Sequence, residues 1–111
     1  MLIYKIFRAD EWSAMQAAGR TNGAPIDIDD GFVHFSTADQ ARETAAKHFA
    51  GETDLMLVAA DTARMGEALK WEVSRGGAEF PHLYAPFEMD HVLRADPLPL
   101  GPEGHVFPDM T

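Results

Sequence analysis

The stretch Asp30-Gly31-Phe32-Val33-His34-Phe35-Ser36-Thr37 gathers a histidine and two hydroxyls within a few residues of one another. In an extended chain, alternation places Phe32 and His34 on one face and Val33 and Phe35 on the other, with Ser36 and Thr37 at the exit. The residues that follow, Ala38 to Phe49, are dominated by helix formers, so His34 stands beside a predicted helix N-terminus. Unsatisfied N–H groups and the positive end of the helix dipole attract anions there, and an imidazole can exchange a hydrogen bond with a ligand hydroxyl. A phosphate or a ribose suits such a point. The same residues also read as a half-buried strand histidine bonded to a carbonyl, followed by an ordinary helix cap.

Two further segments carry comparable chemistry. In Leu69-Lys70-Trp71-Glu72-Val73, alternation puts Trp71 and Val73 on one face and Glu72 with Lys70 on the other. Held near His34, the Glu72 carboxylate would orient a hydroxyl, act as a general base or face a developing cation; left to itself it is a solvated strand residue. In Phe80-Pro81-His82-Leu83-Tyr84 the two polar-tipped rings, His82 and Tyr84, share a face. They would stack on a planar guest and hydrogen-bond to it, or form an aromatic cover on the core.

Other chemistries are poorly supported. His34, His48, His82, His91 and His105 contain no i, i+4 pair and no His-Glu-x-x-His, so no metal site is expected. Counted as a calcium loop from Asp27, the segment brings Gly31 one position early and ends on Ala38 instead of glutamate. No Gly-x-Ser-x-Gly elbow, dinucleotide glycine motif or P-loop is present.

The elements that must hold these side chains follow from pattern. Leu2 to Phe7 predicts a strand, and Asp10-Glu11-Trp12 heads a short helix that stops at Gly19. Arg20 to Gly31 is rich in turn formers and predicts a loop landing on a strand from Phe32 to Phe35. The helix after Ser36-Thr37, started by hydroxyl-x-x-acceptor spacing, is expected to run toward Gly51. Asp54 to Asp61, Leu69 to Ser74, Phe80 to Tyr84 and Val92 to Leu98 read as extended, with Gly76-Gly77 a turn. Both clear helices precede Gly51 and the second half is mostly extended, which points to an α+β fold.

At 111 residues the chain is one domain, with an expected core over residues 2–95 and a Pro/Gly-rich tail over 96–111 that is ordered by contact. A charge of −9 opposes a nucleic-acid partner or an anionic membrane, and the absence of cysteine removes disulfides and thiolate chemistry. The longest strongly apolar run, Leu55 to Ala60, is far short of a membrane span, and the start has no long apolar stretch of the secretory kind. A soluble, cytoplasmic protein that binds a small molecule is the expectation.

Ile3-Tyr4-Lys5-Ile6, Glu11-Trp12, Asp30 to Gln40, Thr44-Ala45, Trp71-Glu72 and Phe80 to Tyr84 together resemble, in identity and order, the bacterial family known as domain of unknown function 952. That family is similar in fold to the ADP-ribosyltransferase superfamily, in which two packed, split β-sheets hold NAD in the cleft between them. The resemblance implies an α+β, split-sheet fold and NAD or a related nucleotide as ligand. It implies His34 at a ribose, with Ser36 and Thr37 beside it. Tyr84 would stack on the ring, with Trp71 and His82 as further binding residues. Glu72, with Glu88 as a competitor, would be the carboxylate that assists ADP-ribosyl transfer. A non-catalytic module that binds a metabolite or a partner on the same fold is the alternative. RNA 2′-phosphotransfer, which the superfamily also contains, is disfavoured by the charge of −9.

Overall fold

In the computed structural model, which describes residues 1–110, two antiparallel three-stranded sheets share the work of building the core. β1 (Leu2–Arg8) leads into α1 (Ala9–Ala18), whose end is set by Gly19 in the left-handed region at φ 83°. β2 (Arg20–Thr21) is followed by α2 (Pro25–Asp30), β3 (Val33–His34) and α3 (Ala38–His48). Then come β4 (Leu55–Asp61), two 3-10 turns, β5 (Leu69–Val73), β6 (Glu79–Leu83), β7 (Phe87–Glu88) and β8 (Val92–Leu98). A short ribbon of β9 (Leu100–Gly101) and β10 (Gly104–His105) lies beyond β8.

The first sheet has the order β1-β4-β8. β4 is central and buried on both faces, which is why Leu55 to Ala60 is apolar without alternation. One face packs Ile3, Phe7, Val58 and Ala60 against Trp12 and Met15 of α1 and against Phe35 and Phe87. The other packs Tyr4, Ile6, Leu55 and Leu57 against Ala41 and Ala45 of α3. Small residues on α3 let that helix lie close to the sheet.

The second sheet, β3-β6-β5, carries the candidate residues. Its register sets His34 opposite His82, His82 opposite Lys70, and Phe80 opposite Glu72. The sheets meet at one bridge, where Tyr4 N–H donates to the Ser36 carbonyl at 2.7 Å and Ser36 N–H returns the bond to Tyr4 at 2.8 Å. The result is a mixed α/β fold with antiparallel sheets and three helices.

Three expectations about elements change. Arg20 to Gly31 is not a plain loop: Pro25 occupies the first turn of α2, where its fixed φ is at home, and Gly31 ends the helix at φ 86°. α3 ends at His48, before Gly51, with Phe49 as its cap. The tail also contributes to the interior. Leu98 is buried at the end of β8, Phe107 and Met110 pack on the α3 side of the core, and Tyr4 Oη donates to the Met110 carbonyl at 2.9 Å. Among the described residues no helix is long and apolar enough to cross a membrane.

Candidate functional site

Alternation in β3 and β6 does what the sequence spacing predicts and brings the rings together. The His34 and His82 rings lie edge to face with centroids 5.3 Å apart. Phe32 stacks on His82 at 4.2 Å and also touches His34 at 4.6 Å and Tyr84 at 5.0 Å. His34, His82 and Tyr84 therefore form one aromatic cluster around Phe32.

Each histidine is held through Nδ1 by a carboxylate. His82 Nδ1 is 2.9 Å from Glu72 Oε1, and the same oxygen accepts a 2.6 Å hydrogen bond from Tyr84 Oη. These bonds hold the Glu72 carboxyl below its ordinary range, Tyr84 contributing most and His82 next, and in return Glu72 raises the Tyr84 phenol. His34 Nδ1 is 2.6 Å from Asp27 Oδ1, and its other ring nitrogen is 3.1 Å from Asp30 Oδ2. His34 thus has a carboxylate at each ring nitrogen. His34 Nε2 can therefore meet a guest only if the exposed Asp30 side chain gives way.

Asp27 is the buried centre of this arrangement, only 1% exposed. It accepts from Ala24 N–H at 2.7 Å and from His34 N–H at 2.9 Å, and pairs with Lys5 Nζ at 3.0 Å. Burial on its own would raise its pKa. Hydrogen bonding from the His34 ring and backbone, together with the charge and hydrogen bond of Lys5, outweighs that and brings the carboxyl down to about 2. Lys5 is itself nearly buried and also donates to the His34 carbonyl at 3.0 Å. The ion pair thus clamps α2, β1 and β3 together behind His34.

A cavity of about 460 Å³ opens in front of these groups. Its lining includes Lys5, Asp27, His34, Ser36 and His82, with Phe35, Phe49 and Phe80 as apolar wall. Glu72, Tyr84, Thr37 and Trp71 are not among the described residues that line it. Glu72 reaches the cavity through His82, and Tyr84 through Glu72 and through Phe32, which packs on both histidines.

The two hydroxyls part company. Ser36 lines the cavity, its Oγ 3.1 Å from Thr44 Oγ1. Thr37 instead caps α3: its Oγ1 accepts from Gln40 N–H at 3.3 Å while its own N–H donates to Gln40 Oε1 at 3.0 Å. The cap uses the Thr37 and Gln40 N–H groups, two of the donors at this helix start. Trp71 does not line the cavity either. It sits opposite Pro81 on the far face of the sheet from Glu72 and His82, and is 36% exposed. Glu88, the competing carboxylate, pairs with Arg20 at 3.2 Å and does not line the cavity.

Asp27 and Lys5 were not anticipated from the sequence. The available signal was Lys5 itself, a charge inside an apolar strand that required a buried counter-charge, while Asp27 was masked by the turn-rich composition around it. Among the described residues no cluster of three or more His, Asp or Glu is arranged to hold a metal.

The family described as "Protein of unknown function (DUF952)" matches residues 6–95. The chain is 50% identical to protein CC0527 from Caulobacter crescentus. It superimposes on the X-ray crystal structure of that protein with a TM-score of 0.90 over 95% of this chain and 92% of that one. The solution NMR structure of CC0527 gives a TM-score of 0.84 over 94% and 90% of the two chains. Among curated proteins none matches.

Proposed function

The chain belongs to the DUF952 family, and from the site it displays we propose that the cavity binds a small nucleotide-like molecule on which His34 and His82 act as proton donor and acceptor. The observation that carries this reading is the pair of facing imidazoles, 5.3 Å apart, both lining one cavity and each oriented through Nδ1 by its own carboxylate. A histidine tethered through one nitrogen presents the other in a fixed direction, which is what general acid–base transfer needs. One ring accepts the proton of a water or ligand hydroxyl as that oxygen bonds to the reacting phosphorus or carbon of the guest, and the other, protonated, gives its proton to the oxygen or nitrogen whose bond to that same atom breaks.

The mixed lining fits a guest with a flat apolar part and several hydroxyls. Phe35, Phe49 and Phe80 suit a ring, while Ser36, Lys5 and the imidazoles suit ribose-like oxygens. A volume of about 460 Å³ is within the range of small-ligand pockets, so NAD would occupy it with one end only. Transfer of an ADP-ribosyl group would require Glu72 to leave His82 and Tyr84 and turn toward the guest. Its engagement with both favours a second reading, a module that retains the nucleotide unchanged.

The test is thermal unfolding against a panel of nucleosides, AMP, ADP-ribose and NAD, with chromatography of each mixture for released nicotinamide or other products. Stabilisation by one member, lost in His34→Ala and His82→Ala variants that keep the native far-UV spectrum, supports the site. Product formation supports acid–base action, and an unchanged ligand supports the binding module. No shift with any member overturns the nucleotide reading.

A further inference from the structure

β5 is the outer strand of its sheet: it pairs with β6 on one side and, among the described residues, with no strand on the other. The direction of its backbone groups follows from the neighbouring bonds. Phe35 N–H donates to the Pro81 carbonyl, so Pro81 turns its hydrogen-bonding groups toward β3, and Trp71 opposite it belongs to a pair that exchanges no bonds with β6. Ser74 N–H donates to the Ala78 carbonyl across the β5 to β6 turn, in phase with that alternation. The N–H and C=O of Trp71 and Val73 and the carbonyl of Leu69 therefore point out from the open edge. Leu69 N–H is already bonded to the Gly66 carbonyl.

This edge runs the full five residues of β5 and carries Trp71 at 36% and Val73 at 68% exposure. Its sequence, Leu69-Lys70-Trp71-Glu72-Val73, is complementary to itself when read in the opposite direction. About a two-fold axis at Trp71, Leu69 meets Val73, Lys70 meets Glu72, and the tryptophans meet each other. Both oppositely charged pairs fall on the face that carries His82, and all the apolar pairs fall on the other. A shift of the register by one residue destroys this match.

We propose that two copies of this chain associate through antiparallel pairing of their β5 edges about Trp71, joining the two sheets β3-β6-β5 into one of six strands. Lys70 of the partner subunit then stands beside Glu72, so the second copy adds a cation next to the carboxylate that orients His82. A single strand edge buries less than the ~1,200 Å² typical of stable complexes, so the dimer is weak and its population rises with concentration. The inference stands on the open edge and its charge pattern and does not depend on the ligand reading.

The experiment is sedimentation velocity over a concentration series at constant salt. The chain has no cysteine of its own, so an engineered one reports a single position. Wild type shifts from monomer to dimer with concentration. Lys70→Glu and Glu72→Lys each set like charges opposite one another twice and weaken the dimer by about tenfold or more, while the K70E/E72K double variant recovers it. Trp71→Cys forms an intermolecular disulfide under mild oxidation, since directly opposed strand residues lie ~5.5 Å apart at Cα; Val106→Cys, exposed elsewhere, does not. Far-UV circular dichroism confirms that each variant is folded. A wild type that stays monomeric up to ~1 mM, a double variant no better than the singles, or equal cross-linking at positions 71 and 106 overturns the proposal.

Discussion

Replacing Asp27 by Asn removes one charge and leaves the shape of the site almost intact, so it isolates what the carboxylate contributes. In the native protein that group is 1% exposed and is met by Lys5, by the His34 ring and by two backbone N–H groups. Without it, Lys5 stays nearly buried with the His34 carbonyl, the neutral amide and the rings of Phe7 and Phe35 around it but no counter-charge. Breaking a buried pair by removing one partner costs about 3–5 kcal/mol, a large part of the roughly 5–15 kcal/mol that holds a domain folded. The midpoint of thermal unfolding at neutral pH should fall by roughly 12 to 20 °C.

The pH dependence provides a second, independent readout. Folding lowers the Asp27 carboxyl from 3.8 to about 2, so between those values the unfolded chain binds more protons than the native one. The stabilisation is complete above about pH 4 and is lost as the pH falls through about 2. At 1.36 kcal/mol per pKa unit it amounts to roughly 2 kcal/mol. Urea unfolding of wild type and Asp27→Asn from pH 7 to pH 2 measures both effects. The variant should be less stable at pH 7 and should lack this part of the acid-induced loss, so the gap between the two curves should narrow by roughly 2 kcal/mol toward pH 2. Adding Lys5→Met to Asp27→Asn should restore part of the stability, because the stranded ammonium is gone. Equal stability at pH 7, or parallel curves down to pH 2, would refute the account of the buried pair.

Glu72→Gln weakens the hydrogen bond, and removes the charge, through which Glu72 raises the Tyr84 phenol, so Tyr84 should titrate at lower pH than in wild type when followed by ultraviolet absorbance; an unchanged titration would show that the Tyr84 to Glu72 hydrogen bond is not made. A Cβ at Gly23, where φ is +100°, would collide with the Asp27 carboxylate, so Gly23→Ala should destabilise the fold by ~2 kcal/mol or more and disturb His34; a neutral effect in urea unfolding would place Asp27 elsewhere. Thr37→Ala removes the cap of α3 and should cost about 1 kcal/mol without affecting ligand binding. A loss of binding that exceeds the loss of stability would return Thr37 to the site.

Much of the scaffold was legible because it rests on local pattern. The buried strand Leu55–Asp61, the helix that follows Thr37 and the glycine stop of α1 each declare themselves within a few residues. So did the faces: period-two alternation put His34 with Phe32, His82 with Tyr84, and Glu72 opposite Trp71. What alternation could not give was pairing between distant segments. The register that sets His34 opposite His82 joins residues far apart in the sequence, and the Lys5 to Asp27 ion pair links a first strand to a short helix hidden by turn-forming residues. Trp71 enters the candidate set through the family resemblance, while alternation in the same strand sends its side chain to the face opposite Glu72. Thr37 satisfied both a capping pattern and a ligand-binding one, and only the Gln40 contacts distinguish them.

The most direct measurement is the nuclear magnetic resonance of the His34 and His82 ring nitrogens as a nucleotide that stabilises the protein is titrated in. Saturable shifts are expected at both rings with a single dissociation constant, reduced at His82 when Glu72 is changed to Gln. A nucleotide that stabilises the protein while leaving both rings unmoved, or moves only one of them, would contradict a shared site.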